Sequence, residues 1–153
     1  MDYPDLAVRA SRIIALDEGA AGIVSRLTSE QWQGGHFLIF DATVSSNGLS
    51  SEGSGFPPVD AMLRTIDGSM LLLSEELAYA DLVVMVATKD ASAEAASLIG
   101  DTCARQMTMS AGLVVSASGE ADEVVSALRP NAMVSVIMKD EKGIPSILTA
   151  LRV

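Results

Sequence analysis

The chain has 153 residues, which suits one compact domain with a sizeable core. Its 10 Lys and Arg against 20 Asp and Glu give a formal net charge of −10, which excludes unaided binding to nucleic acid or to acidic lipid surfaces. A single cysteine excludes an intramolecular disulfide and a cysteine-based zinc site. The longest apolar run, 82–87, is too short to cross a membrane. The sequence therefore predicts a soluble, cytoplasmic protein.

The first predicted elements are helices. Apolar residues recur three or four apart over residues 5–27, which predicts one helix, or two helices divided at Gly19 and Gly22. The sequence Thr28-Ser-Glu-Gln31 fits a capping box and predicts a further short helix. The apolar segment "HFLIFDATV", 36–44, then predicts a central strand that is covered by helices on both faces.

A long Ser/Gly-rich tract interrupts the compact pattern at residues 45–57, where we expect a flexible loop. Pro57-Pro58 suits the start of a helix, which "VDAMLRTI" continues until Gly68. Strands and helices alternate after this point. The predicted elements are an edge strand at 69–74, a helical turn at 75–80, strands at 81–89, 110–118 and 132–140, and helices at 91–107 and 120–130.

The alternation of strands and helices predicts a single-domain, three-layer α/β/α fold with a mostly parallel, Rossmann-like sheet. The end of the chain is open to two interpretations. Because Asp140 to Gly143 has turn composition, residues 132–153 form either a C-terminal antiparallel hairpin or a strand followed by a short helix. Cys103 is predicted to be a buried helical thiol, and His36 a surface or edge residue.

Ligands of open α/β sheets bind beyond the carboxyl ends of the strands. The sequence places four polar segments there, at 41–48, 88–92, 116–119 and 139–140. Free N–H groups at helix starts could hold a phosphate or carboxylate, and Lys89 would add a positive charge. The predicted ligand-binding residues are Asp41, Ser45, Ser46, Asn47, Gly48, Thr88, Lys89, Ser92 and Ser118. In the alternative interpretation, Asp90 and Ser118 only cap helices and no ligand binds.

Residues 80–119, "ADLVVMVATKDASAEAASLIGDTCARQMTMSAGLVVSASG", resemble the strand–loop–helix–strand unit of the FtsZ/tubulin nucleotide-binding domain, and the resemblance continues loosely to residue 139. It implies a Rossmann-like half. In this chain "TKDASAEAAS", without a glycine, stands where that family has its Gly/Thr-rich phosphate loop. The same "ADL" strand and Ala-rich segment are also similar to the flavin-binding decarboxylase flavoproteins.

Asp41 follows "FLIF" and resembles the nucleophile strand of haloacid-dehalogenase-like phosphatases, although Thr43 stands where those phosphatases have a second aspartate. Three functions therefore stay open. The first is a ligand-binding or regulatory domain for an anionic small molecule. The second is a homo-oligomeric assembly module, for which the eight Met residues could supply apolar contact surface. The third is a small hydrolase that uses Asp41. No metal site is predicted, and the sequence identifies no cofactor.

Overall fold

Strands and helices alternate along the part of the chain that the computed structural model describes, residues 10–28, 35–45, 59–91, 93–116, 125–126, 128, 132 and 134–150. The strands are β1 (Ser11–Ala15), β2 (Gly35–Ser45), β3 (Val59–Thr65), β4 (Met70–Leu72), β5 (Leu82–Thr88), β6 (Met109–Val115) and β7 (Val134–Met138). The helices are α1 (Glu18–Leu27), α2 (Leu73–Ala78), α3 (Ala93–Gln106) and α4 (Ile144–Ala150), and a 3-10 turn covers Glu141–Gly143. Residues 125, 126 and 128 are also helical.

The seven strands form one sheet in the order β4–β3–β2–β1–β5–β6–β7. Strands β2, β1, β5, β6 and β7 run parallel, whereas β3 and β4 continue the sheet beyond β2 in antiparallel orientation. The prediction of a mostly parallel α/β sheet is confirmed.

Helices cover both faces of the sheet because successive side chains of a strand point to opposite sides. Ile14, Val83 and Met85 pack in a core with residues of α2 and α3. Ile13 and Val84 face the other way and pack with α1 and α4. The two cores give the predicted three layers. Strand β5 is buried from Leu82 to Ala87, which explains why its sequence is apolar without interruption.

Parts of two predicted helices are strands in the structure, although residues 18–27 of the first are helical as predicted. Residues 11–15 belong to β1, which lies between β2 and β5 and is hydrogen-bonded to both. Residues 59–65 belong to β3, and Gly68, with a φ of 100°, lies in the turn between β3 and β4 rather than after a helix. In both cases, strand pairing prevailed over a local spacing that suits a helix. The proline pair at 57–58 lies outside the described residues.

Two boundaries also differ from the prediction. Strand β2 continues to Ser45, so Asp41 lies within the strand and not at its end. Residues 144–150 form α4, which means that the alternative of a C-terminal hairpin is wrong and the strand-then-helix alternative is confirmed. The antiparallel strands lie at the opposite edge of the sheet. The short helix predicted after Thr28 lies outside the described part of the chain.

Cys103 is a buried residue of α3, as predicted. Burial raises the pKa of its thiol to about 12, because the thiolate would lose its hydration. Since the thiolate is the reactive form, we expect the native protein to resist labelling by an aromatic disulfide reagent near neutral pH. Labelling should become complete when urea unfolds the chain. Rapid stoichiometric labelling without denaturant would contradict the expectation.

Arg26 of α1 and Glu141 of the 3-10 turn form a paired contact, with Nε 2.8 Å from Oε2 and Nη2 2.5 Å from Oε1. The hydrogen bonds from Arg26 hold the pKa of Glu141 below its ordinary value. A carboxyl group whose pKa falls on folding stabilises the native state above its unfolded pKa, and this contribution disappears as the pH falls through the folded pKa.

We therefore expect Glu141→Gln to lower the free energy of unfolding at about pH 7 by more than at about pH 3, with a small effect because the pair is exposed. Urea denaturation at the two pH values measures the difference. The same substitution made on an Arg26→Gln background should show almost no pH dependence. A pH dependence that persisted without Arg26 would contradict the assignment.

Candidate functional site

The order of the parallel strands defines one point at which the direction of winding reverses. From β1 the chain passes through α1 to β2 on one side, and from β5 it passes through α3 to β6 on the other side. Helices α1 and α3 lie on opposite faces of the sheet. Their first turns therefore separate at the carboxyl ends of β1 and β5, and open α/β sheets bind ligands in the crevice at such a switch point.

Asp17 and Thr88 join the two strand ends across this point. Asp17 follows β1 as the N-cap residue of α1, and Thr88 is the last residue of β5. The Thr88 backbone N–H donates to Asp17 Oδ1 at 3.0 Å, and the Thr88 hydroxyl donates to Asp17 Oδ2 at 2.6 Å. Both contacts are partly buried, and a carboxylate acceptor strengthens them. We call this pair the Asp17–Thr88 clamp.

Thr88 also closes the turn that leads toward α3. Its hydroxyl accepts a hydrogen bond from the Asp90 N–H at 3.2 Å, and its carbonyl accepts one from the Ala91 N–H at 3.1 Å. The side chains of Lys89 and Asp90 are exposed in this turn. Thr88 therefore positions both turns at the switch point, and the exposed side chain of Lys89 lies in the second of them.

Gly19 allows the first turn of α1 to approach the end of β5. A Cβ atom at this position would lie 3.0 Å from Thr88 Cγ2 and 3.3 Å from Asp17 Oδ2. Because the two atoms belong to the clamp, a side chain at Gly19 would press on the hydrogen bonds that hold the strand ends together. The small residue is needed here for close packing at the crevice.

The two sides of the crevice differ in charge. The first turn of α1 carries the carboxylates of Asp17 and Glu18, which oppose an anion at that helix start. The turn after β5 carries the ammonium group of Lys89 beside the carboxylate of Asp90, and the first turn of α3 carries the carboxylate of Glu94. Lys89 is the one cation in these two turns, so an anionic group fits beside its ammonium group, and hydrogen-bond donors fit beside Asp17 and Glu18.

Strands β2 and β3 extend beyond the end of β1 and form a two-stranded arm beside the crevice. Ile39 is the β2 residue opposite the last residue of β1, and β2 continues to Ser45 while paired with β3. Within the arm, the ladder is irregular between Phe40 and Ala42, at Asp41. Bulges of this kind re-aim side chains and occur next to binding sites.

Arg64 of β3 adds a positive charge to the arm. It lies opposite Ile39 in the β2–β3 ladder, and its Nε is 3.9 Å from Asp41 Oδ1. This Nε is buried and has no hydrogen-bond acceptor among the described residues. The Arg64–Asp41 ion pair is therefore loose and includes no hydrogen bond from this Nε.

The structure describes part of the predicted site. Thr88 and Lys89 lie at the switch point, whereas Asp41 and Ser45 lie in the β2–β3 arm. The remaining predicted residues, Ser46, Asn47, Gly48, Ser92 and Ser118, lie outside the described residues. That the nine residues bind a ligand stays a prediction, as does a catalytic role for Asp41.

Four residues of the crevice and the arm were not predicted, because residues 5–27 and 57–66 have apolar spacings that suit helices: Asp17, Glu18, Gly19 and Arg64. A signal was present in "RIIALDEG", where two adjacent isoleucines precede an acidic residue and a glycine. Adjacent β-branched residues favour a strand, and Asp is a common N-cap.

A cleft of about 550 Å³ lies at the opposite end of the strands, where β2 begins and β3 ends. It is lined by Thr28, His36, Phe37, Leu38, Thr65, Ile66, Asp67, Ser69 and Leu71. Several of its polar groups already bond within the β3–β4 turn, in which the Thr65 hydroxyl donates to Asp67 and accepts from the Ser69 N–H. The cleft is therefore a weaker candidate than the switch point.

The described residues include no group of three or more His, Cys, Asp or Glu side chains that could hold a metal ion. They also include no helix that is long and apolar enough to span a bilayer. No protein-family model and no curated protein matches the chain.

Among solved structures, the chain is similar to a flavoprotein from Lactobacillus acidophilus NCFM, determined in complex with FMN. The two are 13% identical with a TM-score of 0.49, over 91% of this chain and 98% of the flavoprotein. A likeness at this level carries no argument about the ligand of this chain. The resemblance of residues 80–139 to the FtsZ/tubulin domain stays a prediction.

Proposed function

We propose that the chain is a small-molecule-binding α/β protein whose ligand lies in the crevice between the carboxyl ends of β1 and β5. The observation that carries the proposal is the Asp17–Thr88 clamp, which joins the end of β5 to the start of α1 at the switch point. A rigidly held crevice lowers the ordering cost of binding, as in preformed ligand sites.

The charges around the crevice indicate the chemistry of the ligand. A carboxylate or phosphate group fits beside the exposed Lys89, the one cation in the turn after β5. Hydroxyl or N–H groups fit the side of Asp17 and Glu18, because each oxygen of Asp17 keeps a second lone pair after accepting from Thr88. We infer a polar organic molecule that carries an anionic group at one end and donors at the other.

Calorimetric and thermal-shift titrations with nucleotides, flavins and sugar phosphates test the proposal. A ligand that binds only the native state raises the unfolding midpoint, by an amount that follows from its concentration and dissociation constant. We expect at least one of these anionic compounds to produce a saturable shift. No shift from any of them at millimolar concentration would contradict the proposal.

Two variants, one in the turn before α3 and one in the last turn of α3, test where the anionic group of the ligand binds. Lys89→Ala removes the charge at the crevice, whereas Arg105→Ala removes an exposed charge from the last turn of α3. We expect Lys89→Ala to weaken binding about tenfold, the loss typical of a charge-assisted hydrogen bond, and Arg105→Ala to leave it unchanged. Equal effects of the two substitutions would place the anion elsewhere.

A further inference from the structure

Strand β7 is an edge of the sheet, and neither its own sequence nor the described part of the chain supplies the usual protection against pairing. Its five residues, Val134–Met138, include neither a charged residue nor a proline, in a chain with a net charge of −10. Val134 and Ile137 are 47% and 43% exposed. Edge strands of natural proteins are usually protected from pairing by charged residues, by prolines or by their short length. The other edge strand, β4, is protected by its length of three residues.

The backbone groups that β7 presents outward follow from its pairing with β6. The Ser116 N–H donates to the Met138 carbonyl at 2.9 Å, so Met138 directs its backbone groups toward β6. Backbone direction alternates along a strand. Ser135 and Ile137 therefore direct their N–H and C=O groups away from the sheet, where no hydrogen-bond partner occurs among the residues that the structure describes.

We propose that β7 of one molecule pairs with β7 of a second copy in antiparallel orientation, about a two-fold axis at Val136. The outward residues Ser135 and Ile137 are placed symmetrically about Val136. In the antiparallel arrangement, Ser135 of each copy lies opposite Ile137 of the other copy, and each facing pair exchanges both backbone hydrogen bonds. The strand is thus complementary to itself, which is the requirement of a two-fold interface.

Charge favours β7 as the contact between two copies. Two molecules with a net charge of −10 repel each other, and the repulsion is smallest where the facing surfaces carry no charge. Strand β7 provides such a surface, with partly exposed aliphatic side chains on both of its faces. The dimer would join two sheets of seven strands into one continuous sheet.

The extent of the contact sets its strength. A single pair of short strands buries less than the roughly 1,000 Å² of a stable interface. The dimer is therefore weak and depends on concentration, with a dissociation constant on the order of tens of micromolar. This inference does not depend on the ligand proposed for the crevice.

Sedimentation velocity over about 1–300 µM measures the association, in a range that brackets the expected dissociation constant. Ile137→Lys adds a charge to the proposed contact, and Met70→Lys is the matched control because Met70 lies on the other edge strand with 44% exposure. We expect the unaltered protein and Met70→Lys to dimerise alike, and Ile137→Lys to weaken dimerisation at least tenfold.

Ser135→Pro is a second variant that acts on the backbone. Proline removes the outward N–H of Ser135 without removing a bond to β6, so the fold should be retained and dimerisation lost. Circular dichroism confirms that each variant is folded. A monomer at every concentration, or dimers that Ile137→Lys and Ser135→Pro leave unchanged, would overturn the inference. Loss of the dimer in Met70→Lys would overturn it as well.

Discussion

Replacement of Asp17 by alanine is expected to lower the free energy of unfolding by about 2–4 kcal/mol, as estimated for the loss of two hydrogen bonds to a charged group. The substitution leaves the Thr88 backbone N–H without its acceptor in a partly buried position. It also removes the acceptor of the Thr88 hydroxyl and so frees the end of β5 from the start of α1. Urea denaturation at neutral pH measures the loss.

Glu18→Ala provides the matched control, since Glu18 is the neighbouring carboxylate and is exposed in the first turn of the same helix. We expect this variant to lose no more than about 0.5 kcal/mol, the scale of an exposed charge near a helix start. If Asp17→Ala and Glu18→Ala differed by less than that amount, the clamp would not be a significant source of stability.

The clamp predicts a particular pattern in a double-mutant cycle. Thr88→Val removes the hydroxyl and retains the backbone N–H, so it breaks one of the two contacts with Asp17. Asp17→Ala should therefore cost less on the Thr88→Val background than in the unaltered protein, by about 1–2 kcal/mol. Additive effects would show that the side chains do not interact.

Replacement of Gly112 by alanine is expected to lower the free energy of unfolding by about 1–3 kcal/mol, the range for overpacking a core. A Cβ atom at this position of β6 would lie 2.8, 3.1 and 3.3 Å from the Cδ1, Cδ2 and Cγ atoms of Leu128. Leu128 is fully buried, so its side chain can yield only by moving against its neighbours in the core. Thermal or urea unfolding measures the effect.

Two further variants separate overpacking from the general effect of a methyl group. Gly22→Ala adds the same atom to α1, where the nearest contact would be Arg26 Nη1 at 3.5 Å, and should raise stability by up to about 1 kcal/mol. Leu128→Ala removes the atoms that clash, so Gly112→Ala should cost little on that background. An unchanged cost there would contradict the steric explanation.

The second half of the fold could be predicted because its elements are regular and follow each other closely. Strand β5 is apolar throughout, helix α3 follows it, and β6 repeats the pattern. In such βαβ units the local pattern and the tertiary arrangement agree. The parallel sheet and its helical layers follow from these units alone.

The first half could not be predicted in the same way because its strands depend on distant partners. Strand β1 is held by β2 on one side and β5 on the other, and β3 is held by β2. The apolar residues of β1 happen to continue the spacing of α1, so the two elements together imitate one helix. With β1 unrecognised, the switch point could not be located.

The candidate site could be predicted from the sequence only where its strand was recognised. The carboxyl ends of strands were correctly expected at Thr88 and Lys89, because β5 was recognised. Asp17 lies 71 residues before Thr88, and only the pairing of β1 with β5 brings them together. A contact between residues so far apart in the chain produces no periodic pattern in a single sequence.

The position of β1 has a consequence for synthesis on the ribosome. When the first 72 residues have emerged, β1 to β4 can pair, but the side of β1 that will meet β5 still has no partner. Ile13 and Ala15, which are inaccessible in the finished protein, then border an open strand edge in the nascent chain. We expect truncation before β5 to yield an aggregating fragment that chaperones retain, and release of a soluble chain only once β5 has been made.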